Sequence, residues 1–280
     1  MSEAPSVSSR TPIALTVAGS DSSGGAGIQA DLKTFSAFGV YGASVITALT
    51  AQNTRGVQAV EAVSAGFVAA QLDSVFCDLA VDAIKTGMLA DAEIVEAVAR
   101  VLHAEPQRPL VVDPVMVATS GDVLLKPEAI GAVRSALIPL ATLITPNLAE
   151  AAVLLDTGKA ESEAEMRDQA CALLGLGCRA VLLKGGHGTG DQVLDVLADA
   201  TGVKIFASPR VATPHTHGTG CTLSAAIVAL LAQGAALADA VRRAKAYVWH
   251  GLQAGCALGV GGGRGPVDHL FAIRRGAPPA

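Results

Sequence analysis

Residues 217–231 read HGTGCTLSAAIVALL, a glycine-rich turn that runs directly into an apolar helical segment. The two glycines let the backbone approach a ligand closely, and the first turn of a helix has N–H groups without intrahelical acceptors. These N–H groups and the positive end of the helix dipole favour binding of an anion such as phosphate. The same residues would also form a plain glycine-rich cap on a buried helix, and this stretch alone leaves both interpretations open.

Cys221 lies in the first turn of this predicted helix, where the helix field is expected to lower the pKa of its thiol and assist proton transfer. The chain has five cysteines, widely spaced and without a CxxC pair. This spacing predicts free thiols in a reducing cytoplasm and argues against a disulfide framework or a zinc site. The other cysteines are Cys77, Cys171, Cys178 and Cys256.

Composition narrows the class of protein. The 280 residues are 51% hydrophobic and 3% aromatic, which fits one large α/β domain with an aliphatic core. A net charge of −5 without any basic run argues against a nucleic-acid partner, so a small-molecule substrate is expected. Residues 211–238 lack charged side chains, but Pro214, Gln233 and Gly234 interrupt them, so we predict a buried helix and no membrane span.

Short β-branched segments alternate with longer helical patterns along the whole chain, which predicts a mostly parallel sheet between two layers of helices, a three-layer α/β/α sandwich. Residues 192–207 form a predicted antiparallel hairpin. We expect one domain over residues 12–275, a disordered segment at 1–11 and a flexible tail at 276–280. Strands are predicted at 13–18, 44–48, 83–86, 110–113, 142–145, 180–183, 192–197 and 204–207, and helices at 27–38, 65–77, 92–104, 127–138, 148–155, 162–174, 222–233 and 237–257.

Polar residues follow several predicted strands, and ligands of such sheets bind at the carboxyl ends of the strands. Asp113, held by the following proline, could bind Mg²⁺ through water, or it could simply cap a turn. Asn147 and Glu150 have the spacing of an ordinary capping box, and they would also suit the surroundings of a magnesium ion. Lys184 stands before a run of glycines, where it would neutralise a nucleotide phosphate or extend into solvent.

Two further motifs indicate where a substrate would bind. Gln52, after the second predicted strand, has an acceptor and two donors that complement the amino group and ring nitrogen of an aminopyrimidine. Met88 could pack on the ring or belong to the core. Residues 18–27, AGSDSSGGAG, match neither GxGxxG nor GxxxxGK[ST] and lead into a helix that carries Asp31, which the simplest interpretation leaves solvated. His215 and His217 lack a third metal ligand and are interpreted as loop or capping residues.

In this order, the motifs resemble those of the ribokinase-like superfamily, and specifically its hydroxymethylpyrimidine/phosphomethylpyrimidine kinases. The resemblance covers nearly everything after residue 12. The matching stretches are AGSDSSGGAGIQADLKTFSAFGVYGASVITALTAQNTRGVQ from residue 18, KTGML from 85, VVDPVMVATSGDVLL from 111, ITPNLAEAAVLL from 144, LLKGGHG from 182, THGTGCTLSAAI from 216 and GRGPVDH from 263.

The resemblance implies a ribokinase-like fold, use of ATP and Mg²⁺, two successive phosphorylations in thiamine biosynthesis, and a homodimer. It assigns catalysis to an anion hole and its neighbours, namely Gly218, Thr219, Gly220, Cys221 and Lys184. ATP would contact Lys184, Gly218 and Gly220. The substrate ring would contact Gln52, Met88, Asp31, Gly19 and Val115. Magnesium would be held, partly through water, by Asp113, Asn147 and Glu150.

One departure from the family pattern and three alternatives remain. Gly262 stands where family members commonly have lysine in a VGKGxGP motif, so a phosphate contact is missing or is replaced, for example by Arg264. A pyridoxal kinase is an alternative within the same class. A hydrolase with Cys221 as nucleophile and His217 as base is an alternative from another class, although the sequence indicates no acid that would orient His217. A ligand-binding protein without catalysis is the third.

Overall fold

A computed structural model describes residues 10–116, 127–186 and 190–274. Residues 1–9 of the predicted disordered segment and the predicted tail at 276–280 lie outside the described residues, as does His187. The strands are β1 (Ile13–Ala18), β2 (Tyr41–Ile46), β3 (Ala48–Asn53), β4 (Gly56–Ala62), β5 (Ala83–Thr86), β6 (Leu110–Val112), β7 (Leu143–Ile144), β8 (Ala180–Lys184), β9 (Gln192–Asp199) and β10 (Gly202–Pro209).

Eight strands form one sheet in the order β10-β9-β8-β7-β6-β5-β1-β2. Strands β2, β1, β5, β6, β7 and β8 are parallel, whereas β9 and β10 are antiparallel additions at one edge. The inner strands are apolar on both sides because helices cover both faces, which is the pattern of parallel sheets. The predicted mostly parallel sheet and its late hairpin are confirmed.

Helices pack on both faces of the sheet and bury two apolar layers. One layer lies under α2–α6, and the other lies between the sheet and α1, α7 and α8. Among the described helices, none is long and apolar enough to span a membrane. The helices are α1 (Gly27–Ala37), α2 (Ala65–Phe76), α3 (Ala92–His103), α4 (Pro127–Ala132), α5 (Leu148–Leu155), α6 (Glu163–Leu174), α7 (Thr219–Ala232), α8 (Leu237–Gly255) and α9 (Phe271–Arg274).

The segment after β1 and α1 differs from the prediction. The predicted strand at 44–48 is two strands, because β2 ends at Ile46 and a separate two-stranded hairpin of β3 and β4 begins at Ala48. The hydroxyl of Thr47, between them, donates to the carbonyl of Met88 and fixes the break. Gln52 therefore follows the second strand, as predicted, but lies within the additional strand β3 of this hairpin.

Two helices also have different bounds. The predicted helix at 127–138 is regular only to Ala132 and continues as a π-helical turn at Val133–Leu137 and a 3-10 turn at Ile138–Leu140. Helix α7 begins at Thr219, three residues earlier than predicted. Its start therefore coincides with the glycine-rich turn. The carboxyl ends of the parallel strands β1, β5, β6, β7 and β8 lie at one edge of the sheet, and Lys184 at the end of β8 lies beside Gly220 of this turn.

Candidate active site

The N-terminus of α7 has the geometry of an anion-binding site. Gly218 is its N-cap with φ of 77°, and a side chain at this position would collide with the carbonyl oxygen of Gly25. The Thr219 hydroxyl donates to the carbonyl of Thr216 at 2.7 Å. Within the part of the chain that the structure describes, the N–H groups of Gly220 and Cys221 have no protein acceptor. These two donors are available to an anion.

A lysine–aspartate pair borders this turn. Asp113 accepts hydrogen bonds from Lys184 Nζ and from the Thr145 hydroxyl, each at 2.9 Å. Its other carboxylate oxygen accepts from the Ser224 hydroxyl on α7 at 3.2 Å. A Cβ atom on Gly220 would lie 3.5 Å from Lys184 Nζ, so the ammonium group is directly beside the anion site. The alternative in which Lys184 extends into solvent is wrong.

Asn147 and Glu150 form the predicted capping box at the start of α5. The Asn147 side chain accepts from the N–H groups of Ala149 and Glu150, and the Glu150 carboxylate accepts from the Asn147 N–H at 2.8 Å. Burial raises the pKa of Glu150 to about 7; the Asp113 charge adds to this effect, and Lys184 partly opposes it. The capping role is confirmed, and Glu150 also lies in the same electrostatic cluster as Asp113.

This oxygen-rich cluster suits magnesium better than a transition metal. Among the described residues, no group of three or more His, Cys, Asp or Glu side chains could hold a metal ion. Magnesium takes only one or two protein carboxylates and keeps several waters. Two neighbouring carboxylates, Asp113 and Glu150, therefore fit this ion, and its charge would offset the burial and the Asp113 charge that raise the pKa of Glu150.

Asp31 is not exposed to solvent. Both of its carboxylate oxygens contact Lys85 Nζ, at 2.6 and 2.7 Å, and one also accepts from the Thr16 hydroxyl. Both charged side chains are fully buried. Burial lowers the pKa of Lys85, but the Asp31 carboxylate outweighs this effect and raises it above the ordinary value. The interpretation that leaves Asp31 solvated is therefore wrong, whereas its predicted contact with the substrate ring stays a prediction.

Cys221 has a neutral thiol. Burial raises its pKa to about 11, although nearby Lys85 and the Gly27 N–H act in the opposite direction. The prediction that the helix field lowers this pKa is wrong in direction, because the loss of solvation is the larger effect. The Cys221 thiol is therefore protonated at neutral pH in the unliganded protein.

Gly19 and Met88, two of the predicted substrate contacts, are neighbours in the structure. The Gly19 N–H donates to the Met88 carbonyl at 3.1 Å, and the Met88 methyl group packs over Gly19. Val115 lines a small cavity after Asp113. Gln52 accepts from the Thr50 hydroxyl at 3.2 Å.

Asp21 joins the first loop to the anion-binding turn, which the sequence analysis missed. One carboxylate oxygen accepts from the N–H groups of Gly25 and Ala26 and from His217 Nε2, the last at 2.8 Å. Burial alone would raise the pKa of Asp21, but hydrogen bonds from His217, Ser23 and Ala26 lower it well below its ordinary value. Asp21 is thus the acid near His217 that the hydrolase alternative lacked.

The hydrolase alternative also requires a contact between His217 and the Cys221 thiol, and the described residues show none. The nitrogen of His217 that would face a nucleophile in a triad is bound to Asp21. Lys85 and the backbone N–H of Gly27, and not His217, are the neighbours that lower the pKa of the Cys221 thiol. The pair of Asp21 and His217 therefore fixes the loop at residues 19–27 against the turn before α7.

A cleft with a volume of about 310 Å³ opens beside this turn, between the β3–β4 hairpin and the glycine-rich segment before α9 that contains Gly263 and Arg264. We call this segment the tail, as distinct from residues 276–280, and we call the cleft the hairpin–tail cleft. It is lined by Gln52, Asn53, Thr54, Arg55, Gly56, His217, Gly263 and Arg264.

The fold and the site define an α/β phosphotransferase that presents amide donors, a lysine and two carboxylates at one sheet edge. The family model of phosphomethylpyrimidine kinase matches residues 21–268. The chain belongs to this family.

Individual relatives and solved structures are similar to this chain over most of its length. The hydroxymethylpyrimidine/phosphomethylpyrimidine kinase of Escherichia coli K12 is 55% identical over 259 residues, which cover 92% of this chain and 97% of the relative. An ADP complex of Bacillus subtilis pyridoxal kinase superposes with a TM-score of 0.86 at 38% identity, covering 95% of this chain and 99% of that one. Phosphomethylpyrimidine kinase from Clostridium difficile 630 superposes with a TM-score of 0.76 at 45% identity, covering 85% and 97%.

Proposed function

We propose that the protein is a kinase of thiamine biosynthesis. It transfers phosphoryl groups from ATP first to the alcohol of 4-amino-5-hydroxymethyl-2-methylpyrimidine and then to the resulting monophosphate. The observation that carries this proposal is the 55% identity, over nearly the full length of both chains, to an enzyme named for both activities. The pyridoxal kinase with the same fold is less similar, at 38% identity.

The nucleotide end of the reaction is assigned to α7. The N–H groups of Gly220 and Cys221 would bind the oxygens of the transferring phosphoryl group, with Gly218 and Thr219 shaping the turn. Lys184 supplies a positive charge next to them. Pre-positioned donors of this kind stabilise the charge that develops in the transition state. The ADP bound to the Bacillus subtilis relative supports ATP as the donor.

Magnesium is assigned to Asp113, Asn147 and Glu150, partly through water. When bound, the ion would neutralise charge on the nucleotide phosphates. The Asp113 carboxylate is oriented for this role by hydrogen bonds from Lys184 and Thr145.

The part of the site that binds the acceptor must accommodate two different nucleophiles, an alcohol and a phosphate. In each transfer, a bond forms between the acceptor oxygen and the γ-phosphorus, the bond to the bridging oxygen breaks, and ADP leaves. The alcohol releases its proton to solvent, whereas the monophosphate is already ionised near neutral pH. Phosphoryl transfer depends on positioning more than on a strong base. A neutral Cys221 thiol avoids the repulsion that a carboxylate would exert on the second acceptor.

The test is a substrate panel with MgATP in which the products are separated by mass. We expect the alcohol to yield monophosphate and then diphosphate, and pyridoxal to react more slowly. The variant Lys184→Gln, purified in parallel, excludes a contaminating kinase. Turnover of pyridoxal alone, or activity that the Lys184→Gln variant retains in full, would contradict the proposal.

We also propose the homodimer and the cytoplasmic location that the resemblance implies. In support of a dimer, Leu49 and Val60 on the β3–β4 hairpin and Phe67 on α2 are exposed apolar side chains. Light scattering coupled to size-exclusion chromatography measures the mass directly. A single-chain mass at micromolar concentration would refute the dimer.

A further inference from the structure

The hairpin–tail cleft is held together by contacts between two backbones. The carbonyl of Thr54 accepts from the N–H of Arg264 at 2.8 Å, and its hydroxyl accepts from the N–H of Gly263 at 3.1 Å. Side chains at Gly261 or Gly263 would collide with Thr54. The glycines of the tail are therefore required for this close approach of the two backbones.

The cleft is positively charged. Arg55 and Arg264 are among its lining residues, and no acidic residue is among those the structure describes there. A Cβ atom on Gly262 would lie 3.0 Å from Arg55 Nη2, so the Arg55 guanidinium lies across a position without a side chain. A planar guanidinium offers paired donors that match the oxygens of a phosphate.

The cleft also adjoins the phosphoryl-transfer site. His217, which lines it, directly precedes Gly218 and is fixed by Asp21. Gln52, the predicted ring contact, lines it from the hairpin. An acceptor ring held by Gln52 would thus place its substituent between the arginines and the N–H groups of α7.

We propose that the hairpin–tail cleft is a subsite for the phosphate group of the monophosphate acceptor, with Arg55 as its main cationic contact. This inference rests on the proposed function. The second transfer brings a dianion towards the nucleotide phosphates, and like charges at such short distances repel one another. The first acceptor, an alcohol, creates no such repulsion. The cleft therefore serves the second transfer more than the first.

The two arginines could instead bind the terminal phosphate of the nucleotide, which takes part in both transfers. Binding of the acceptor phosphate and binding of the nucleotide phosphate predict different kinetics. Loss of an acceptor-phosphate contact changes kcat/KM for the monophosphate more than for the alcohol. Loss of a nucleotide contact raises the KM for MgATP equally with either acceptor.

The experiment measures both transfers for Arg55→Gln, Arg55→Lys and the control Arg167→Gln, which alters an exposed arginine on α6. For Arg55→Gln we expect kcat/KM for the monophosphate to fall about tenfold more than for the alcohol, as for one charge-assisted hydrogen bond. Arg55→Lys should recover part of this loss, and Arg167→Gln should change neither transfer. Unfolding temperatures confirm that the variants are folded.

Equal losses in both transfers, or no loss at all, would overturn the subsite. Failure of the wild-type protein to phosphorylate the alcohol would instead refute the proposed function, so the two failures are distinguishable.

Discussion

Two lysine–aspartate pairs lie at the same edge of the sheet and have opposite surroundings. In the first, Lys85 and Asp31 are 2.6 Å apart and both side chains are 0% exposed. In the second, Lys184 and Asp113 are 2.9 Å apart, and the lysine side chain is 14% exposed. The first pair lies behind Cys221, and the second lies beside Gly220. We call Lys85–Asp31 the sealed pair, because it is fully buried, and Lys184–Asp113 the open pair, because its lysine is accessible to a ligand.

The difference indicates different roles. In a sealed pair, each charge is stabilised only by its partner and by other protein groups. Removing one partner therefore leaves a buried charge without compensation. Lys184 can turn its remaining hydrogen-bond donors towards an incoming phosphate while it still contacts Asp113. We therefore expect changes in the sealed pair to affect mainly stability and changes in the open pair to affect mainly catalysis.

The largest effect is expected on catalysis. Lys184→Gln removes a charge that stabilises the transferring phosphoryl group, so kcat should fall by about 10²–10³. Steady-state kinetics with MgATP measures this, and Lys204→Gln on the exposed face of β10 is the control. A loss of less than threefold would contradict the role of the open pair.

The sealed pair should dominate stability. Lys85→Met leaves the Asp31 carboxylate buried and unpaired, which should lower the free energy of unfolding by about 3–5 kcal/mol. Urea unfolding measures the change. The double variant Lys85→Met/Asp31→Leu removes both charges and should recover much of the stability. A single variant as stable as the wild type would show that Lys85 is not needed to neutralise Asp31.

Cys221 lies between the two pairs, and its neutrality can be tested by substitution. Cys221→Asp places a carboxylate near the second acceptor, with repulsion of at most about 4 kcal/mol at ~4 Å. Formation of the diphosphate should therefore fall more than phosphorylation of the alcohol. Cys221→Ser, which stays neutral, should not separate the two transfers. Equal losses of both products in the aspartate variant would reject this explanation.

The protonation of the Cys221 thiol has its own pH dependence. Since burial raises its pKa to about 11, the thiol stays protonated at neutral pH, and alkylation should accelerate until the pH approaches 11. Iodoacetamide labelling followed by peptide mass analysis gives the profile. Cys178, whose pKa burial also raises to about 11, is the matched control. A labelling rate of Cys221 that levels off below pH 9 would disagree with the structure.

The smallest effect should separate the two roles of Asn147. Serine is nearly as good an N-cap as asparagine, whereas alanine costs about 1 kcal/mol. Asn147→Ser should therefore preserve stability but, without the amide oxygen, should require more Mg²⁺ for half-maximal activity. Titration of activity with Mg²⁺ decides this. An unchanged requirement would leave Asn147 with the capping role alone.

The layout of the fold could be predicted from the sequence because each inner strand is a short apolar run between helical patterns. The β3–β4 hairpin was missed, since the residues around Thr47 continue the apolar run of β2 and only a tertiary contact to Met88 interrupts it. The turn around Gly56, between two alternating segments, was the available signal. The π-helical turn after Ala132 has no comparable signal in the sequence.

The site could be predicted in part. Strand-end positions placed Asp113 and Lys184 at one edge, where the structure pairs them. The partner of Asp31 was missed, although Lys85 is conspicuous as a charge within the apolar strand β5. The pKa of Cys221 depends on burial against the balance of surrounding charges, and such three-dimensional quantities are not encoded in local spacing.

The most direct test of the central claim is the position of the terminal phosphate in a crystal structure with Mg²⁺ and a non-hydrolysable ATP analogue. We predict that its oxygens accept hydrogen bonds from the N–H groups of Gly220 and Cys221 and contact Lys184, while Lys85 stays paired with Asp31. A terminal phosphate beyond hydrogen-bonding distance of residues 218–221 would contradict the account.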